Sequence, residues 1–139
     1  ILSGAIATGN AILAAEAMGA DLAYIGSPFI ATDEARATDE YKQAIVAGGA
    51  ADIINSSLFT GIPGNYLRSS IAASGMDPDN LPSGMPEDMK FQSASGAKAW
   101  RDIWGSGQGI GVIDRVHGAG ELVDRLANEY AAARKRLLG

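Results

Sequence analysis

The 139 residues contain no cysteine and a single histidine. The absence of cysteine excludes a disulfide framework, a thiolate metal site and a cysteine nucleophile within the chain, and it agrees with a cytosolic setting. Aromatic residues are sparse at 6%, and no apolar run approaches the roughly 20 residues of a membrane-spanning helix. Cations are outnumbered: 11 Lys and Arg stand against 16 Asp and Glu, a net charge of −5. Their one run, Arg134-Lys135-Arg136, lies on the last predicted helix. With no basic stripe to neutralise phosphates, neither a nucleic acid nor a membrane is an expected partner. There is no cluster of ligand-type residues with metal spacing either, since Asp77, Asp79 and Asp33-Glu34 lack the spacing of a calcium loop and read as solvated.

Glycine is abundant, with 18 residues, and the first of them organise the chain. Ile1-Leu2-Ser3 reads as a strand and Gly4-Ala5-Ile6-Ala7-Thr8 as a turn. Asn10–Met18 reads as a helix stopped by Gly19, Leu22–Ile25 as a second apolar strand, and Gly26-Ser27-Pro28 as a second turn. The almost wholly apolar second strand suggests a parallel strand covered on both faces, and the spacing suits a βαβ crossover. Two strands that each end in a glycine-bearing loop place two sets of backbone N–H groups around one anion, as in the phosphate grip after the last two strands of a (β/α)₈ barrel. The same glycines equally serve as simple strand terminators.

At 139 residues the chain suffices for one domain but not for a complete (β/α)₈ barrel of roughly 200 residues or more. It opens inside an apolar run, so the expectation is the C-terminal part of a larger protein. Further along, Thr32–Gly48 has a helical pattern with a segment opening at Thr38, and Asp52–Phe59 has strand character. Residues 60–65 form a turn, Asn65–Ala73 reads as helix, and residues 74–95 form a loop rich in Pro, Gly, Asp and Ser. Ala97–Trp104 reads as a short helix with Trp100 and Trp104 packed together on its apolar face. Residues 105–111 form a glycine-dense loop around Gln108, which suits either a flat ligand edge or a connector. Residues 120–138 form an amphipathic helix with Leu122, Val123, Leu126, Tyr130 and Leu137 toward a core. His117, just before that helix, reads as a solvated histidine rather than a general base. Arg68 stands beside the 61–64 turn with nothing to assign it an anion.

Taken together, Leu2-Ser3-Gly4-Ala5-Ile6-Ala7-Thr8-Gly9, Ala17-Met18-Gly19-Ala20-Asp21, Tyr24-Ile25-Gly26-Ser27-Pro28-Phe29-Ile30-Ala31-Thr32 and Trp104-Gly105-Ser106-Gly107-Gln108-Gly109-Ile110-Gly111 resemble the nitronate monooxygenases. The resemblance runs in order along essentially the whole chain. It implies an α/β fold, the C-terminal part of an FMN-binding TIM (β/α)₈ barrel with a helical C-terminal extension. Residues 1–50 would then supply the last two βα units and 51–139 the insertion, the glycine-rich loop and the closing helix of the same domain.

The family's usual first loop is Gly-Gly-Ile, here Gly4-Ala5-Ile6, and its second is Gly-Thr-Arg-Phe, here Gly26-Ser27-Pro28-Phe29. Ser for Thr keeps the hydroxyl and Ala for Gly keeps the N–H, whereas Pro28 removes a charge and a donor. The resemblance thus implies FMN held by Ser3, Gly4, Ala5, Ile6, Gly26, Ser27 and Gln108, with an alkyl nitronate and O2 as small-molecule substrates. The family's active-site histidine belongs to an earlier strand, so the catalytic group is expected upstream and its role is not transferred to His117. Alone, the chain is expected to be inactive and to leave strand edges unpaired. Two other readings stand beside this one: an FMN-dependent enoyl-thioester reductase of similar barrel, and a non-catalytic barrel remnant.

Overall fold

The computed structural model describes residues 1–82 and 99–139. The loop expected over 74–95 therefore falls partly outside the described residues, as does the Trp100 side chain expected against Trp104. The fold is mixed α/β and divides into two compact units, residues 1–50 with 108–139 and residues 51–107. Among the described residues no helix is long and apolar enough to cross a membrane.

In the first unit, β1 (Leu2–Ser3) pairs in parallel with β2 (Ala23–Tyr24), Leu2 opposite Ala23 and Ser3 opposite Tyr24. Helix α1 (Gly9–Ala17) makes the crossover between them. The Thr8 hydroxyl caps α1 by accepting from the Ala11 N–H at 3.2 Å. Gly19, at φ +91°, ends it in the left-handed conformation that glycine tolerates best. Helix α2 (Ser27–Ile30) is a single turn directly after β2. Helix α3 (Asp39–Ala47) is narrower than the helical pattern of 32–48, because Thr38 caps it and the residues before Thr38 are turn.

The unit closes with a 3₁₀ turn over Gln108–Val112 and a long helix, Ala119–Leu138. Its core is small and aliphatic: Ile6, Ala15, Ala31, Ile45, Ile110, Ile113, Leu122 and Leu126 are buried. Contrary to the expectation that β2 is covered on both faces, Tyr24 is 65% and Leu22 61% exposed. Among the described residues the pair has two strands only, and each strand has one hydrogen-bonded neighbour.

The second unit is built on an antiparallel hairpin, β3 (Ile53–Ser56) against β4 (Gly64–Leu67). Residues 65–67 therefore extend a strand where local propensity suggested the start of a helix. Helix α4 (Arg68–Ala73) begins only after them. Tertiary pairing overrides propensity here: the Leu67 N–H donates to the Trp104 carbonyl at 2.8 Å, and Tyr66 and Leu67 are buried. Tyr66 meets Phe59 edge-on at 4.8 Å between ring centroids and packs with Ile71 and Ile103. Helix α5 (Ala99–Asp102) precedes Ile103. Arg68 is paired with Asp79, with Nη1 2.8 Å from Oδ2. The last helix of the first unit, Ala119–Leu138, is numbered α6.

The apolar stripe of α6 is narrower than the sequence suggests. Leu122, Leu126 and Ala133 are buried, whereas Val123 is 52% and Leu137 68% exposed. Positions 122, 126 and 133 repeat close to the helical period, and 123 lies about 100° off that line. His117 also departs from expectation. It is buried at 7% exposure, its Nδ1 has no hydrogen-bond partner, and its backbone bridges in parallel to Thr32. The Asp33 N–H donates to the His117 carbonyl at 3.0 Å, so the residue is a strut between the segment after α2 and the start of α6 rather than a solvated side chain.

Candidate functional site

Because β1 and β2 are parallel neighbours, the loops that leave their C-terminal ends emerge on the same side of the pair. The first is Gly4–Thr8. Gly4 sits at φ +104° and Ala5 at φ +53°, and Ala5 is the sole non-glycine with positive φ among the described residues. A tight turn through positive-φ residues brings neighbouring amides toward one side, a concavity suited to an anion. Strained backbone of this kind concentrates at binding sites. Ser3, Gly4 and Ala5 are exposed, while the Ile6 side chain is buried, so Ile6 can offer a ligand only its backbone.

The second loop is Gly26-Ser27. Gly26 caps α2 and Ser27 is its first residue, while Pro28, which has no N–H, is buried. A Cβ built on Gly4 or on Gly26 would meet nothing within 4 Å, so the space in front of both loops is open to a ligand. That opening, with the left-handed Gly4-Ala5 step, fits a phosphate monoester.

Gln108 is exposed at the start of the 3₁₀ turn. Its neighbour Gly109 lies against the first loop, since a Cβ there would stand 3.1 Å from Ala7 Cβ and 3.2 Å from the Ala5 carbonyl oxygen. The same turn packs against α2. All seven sequence-derived positions therefore belong to three adjoining segments of the first unit. In the remainder of the glycine-rich stretch, the Ser106 N–H donates to the Asn65 carbonyl at 3.1 Å within the second unit.

Behind the first loop stand residues that the sequence reading did not single out. Glu129 Oε2 accepts from the Gly9 N–H at 2.7 Å, and Arg125 Nη2 donates to the Ala7 carbonyl at 3.5 Å. The one available signal was Gly9 itself, a poor helix former in a helix's first turn. Among the described residues no group of three or more His, Asp or Glu is placed to hold a metal ion.

Comparisons with known proteins bear on the family and the fold. A sequence model of the nitronate monooxygenase family matches residues 1–129. A Mycobacterium tuberculosis protein whose name marks it as a monooxygenase is 31% identical over 94% of this chain and 38% of its own length. A Staphylococcus haemolyticus protein named for nitronate monooxygenase is 24% identical over 93% of this chain and 38% of its own length. Among solved structures, a nitroalkane oxidase from Streptomyces ansochromogenes superposes with a TM-score of 0.72 at 32% identity, over 97% of this chain and 40% of that one. A FabK mutant from Thermotoga maritima does so at 0.73 and 25%, over 99% of this chain and 43% of that one. The chain thus spans about two fifths of the length of these relatives.

Proposed function

Since the chain belongs to the nitronate monooxygenase family, we propose that it forms the FMN-phosphate end of an oxidoreductase that converts alkyl nitronates and O2 to carbonyl compounds and nitrite. In this reading residues 1–50 are the last two βα units of a TIM barrel and α6 is its closing extension. The protein is a cytoplasmic enzyme with small-molecule substrates. The catalytic group belongs to the rest of the enzyme, and the chain alone is inactive.

The observation that carries the reading is the left-handed Gly4-Ala5 step beside Gly26, with both loops opening from neighbouring parallel strands. The amides of Gly4, Ala5 and Ile6 donate to phosphate oxygens from one side, with Ser3 at the edge of that loop. The amides of Gly26 and Ser27 and the Ser27 hydroxyl donate from the other. The Gln108 side-chain amide, able to donate and to accept, is assigned to the edge of the flavin ring. FMN, when bound, supplies the electron-transfer chemistry. This chain's residues hold its phosphate and fix where the ring stands.

Oxygen uptake by the FMN-loaded whole enzyme, measured on adding a small alkyl nitronate with nitrite assayed in the same vessel, tests the reading. Uptake matched by nitrite is expected, and its absence with bound, reducible FMN would overturn it. In the same protein Ser27→Ala is expected to weaken FMN binding about tenfold, the scale of one hydrogen bond to a charged group. The likeness to FabK favours one alternative, an FMN-dependent enoyl-thioester reductase. That enzyme would oxidise NADH on addition of an enoyl thioester and release no nitrite.

A further inference from the structure

Helix α1 begins immediately after the first loop, and its free amides are the most obvious anion seat in the unit. Two of them are already engaged. The Gly9 N–H donates to Glu129 Oε2 at 2.7 Å, and the Ala11 N–H donates to Thr8 Oγ1 at 3.2 Å. A second anion at this helix end would meet the Glu129 carboxylate.

The approach of α6 to this point is as close as backbone allows. A Cβ on residue 9 would lie 2.2 Å from the Tyr130 backbone nitrogen and 2.3 Å from the Leu126 carbonyl oxygen, so only glycine fits. One turn earlier on α6, Arg125 Nη2 reaches the Ala7 carbonyl at 3.5 Å. Arg125 Nε is buried without a hydrogen-bond partner and stands 3.8 Å from Glu129 Oε1, within ion-pair range but beyond hydrogen-bond distance. The loop is therefore tied at its start by the pairing of β1 with β2 and at its end by two charged side chains of α6, spaced i and i+4.

We propose that Glu129, with Arg125 beside it, is a positioning residue for the first phosphate loop. It holds the Ala7–Gly9 backbone from behind, fills the end of α1, and so leaves the amides of residues 4–6 and 26–27 as the seat of the cofactor phosphate. The inference rests on the FMN reading above. Glu129 itself touches no ligand and acts through the loop. Truncating it frees the Gly9 amide and lets the loop relax away from the left-handed Gly4-Ala5 conformation. Glutamine at this position keeps a carbonyl oxygen for the Gly9 N–H and restores the hold.

The test compares the whole enzyme with its Glu129→Ala, Glu129→Gln and Ala133→Gly forms. Ala133 is buried on α6, and glycine there weakens the same helix without touching the loop. FMN affinity is read from quenching of flavin fluorescence, and the hold on the loop from amide hydrogen exchange at Gly9 in the FMN-free protein. Glu129→Ala is expected to weaken FMN binding about tenfold and speed Gly9 exchange by at least as much, as the loss of a charge-assisted hydrogen bond requires. Glu129→Gln should return both to within about threefold of the parent. Ala133→Gly should leave FMN affinity unchanged even where its melting temperature falls as far.

Unchanged affinity in Glu129→Ala, or an equal loss in Ala133→Gly, overturns the proposal. Absence of FMN binding in the parent instead overturns the FMN reading. The exchange rate at Gly9 then still decides whether Glu129 holds the loop.

Discussion

Ala5 occupies a conformation that an L side chain resists. At φ +53° its Cβ crowds the backbone, at a cost of about 1–2 kcal/mol. The resemblance that places glycine at this position in related loops thereby acquires a physical cause, since glycine adopts positive φ without that penalty. Retention of the N–H, the property legible in the sequence, is only half of the substitution's effect. The other half needed the dihedral. Ala5→Gly removes the strain and gives back about 0.4–1 kcal/mol in unfolded-chain entropy, so a net gain of about 0.5–1 kcal/mol is expected from urea denaturation. Ala5→Val at the same φ should lose more than about 1 kcal/mol, because a β-branched side chain is a true outlier there. Equal stability of the two variants would show that the left-handed step is not held in solution. His117 teaches the same lesson in reverse. Position alone suggested a wet helix entry, whereas His117 is buried and its backbone bridges in parallel to Thr32.

At the scale of elements, α6 is the one most plainly written in the sequence, and its limits match the expected run to within a residue. Which side it buries was less legible, because the stripe is decided by what packs there. Gly9 at the start of α1 lets that helix approach the α6 backbone at Leu126 and Tyr130, while Val123 stays outside. The start of α6 also lacks a local cap, since Gly118 has no side chain to offer. Glu34, 85 residues earlier, supplies one: its Oε2 accepts from the Ala119 N–H at 2.8 Å. No sequence pattern records a cap brought in from so far away.

The hydrogen bond from Ala119 holds the Glu34 carboxyl below the usual carboxylate range, helped by the positive charge of Lys42 and by His117. A lowered folded value means that the cap's contribution is complete above the ordinary carboxylate range and is lost as pH falls through the folded value. The melting temperature of the parent should therefore exceed that of Glu34→Gln at neutral pH. The two should converge on acidification below about pH 4. A gap that persists unchanged into strong acid would remove Glu34 as the source of the cap.

For the molecule as a whole, the sequence conveyed the alternation of strand, turn and helix over residues 1–47 but not the hairpin that pairs residues 53–56 with 64–67. The first is local and periodic. The second depends on Leu67 and Tyr66 finding Trp104 and Gly105, nearly forty positions away, which no window of local propensity contains. The two-stranded parallel pair has a matching consequence. Among the described residues each strand has one hydrogen-bonded neighbour, and beside the pair Ile1 is 81%, Leu22 61% and Tyr24 65% exposed. Open strand edges flanked by large apolar side chains are templates for association. The 139-residue chain in isolation should thus self-associate, with a weight-average mass in sedimentation velocity that rises above 14.3 kDa as concentration is raised. Placing like charges along the edge with Leu22→Lys and Tyr24→Lys should return the mass toward the monomer while leaving the helical circular dichroism intact. A parent chain that stays monomeric at every concentration would show that the edge is shielded in solution by something other than a third strand. A double variant that still associates would move the contact to another face of the molecule.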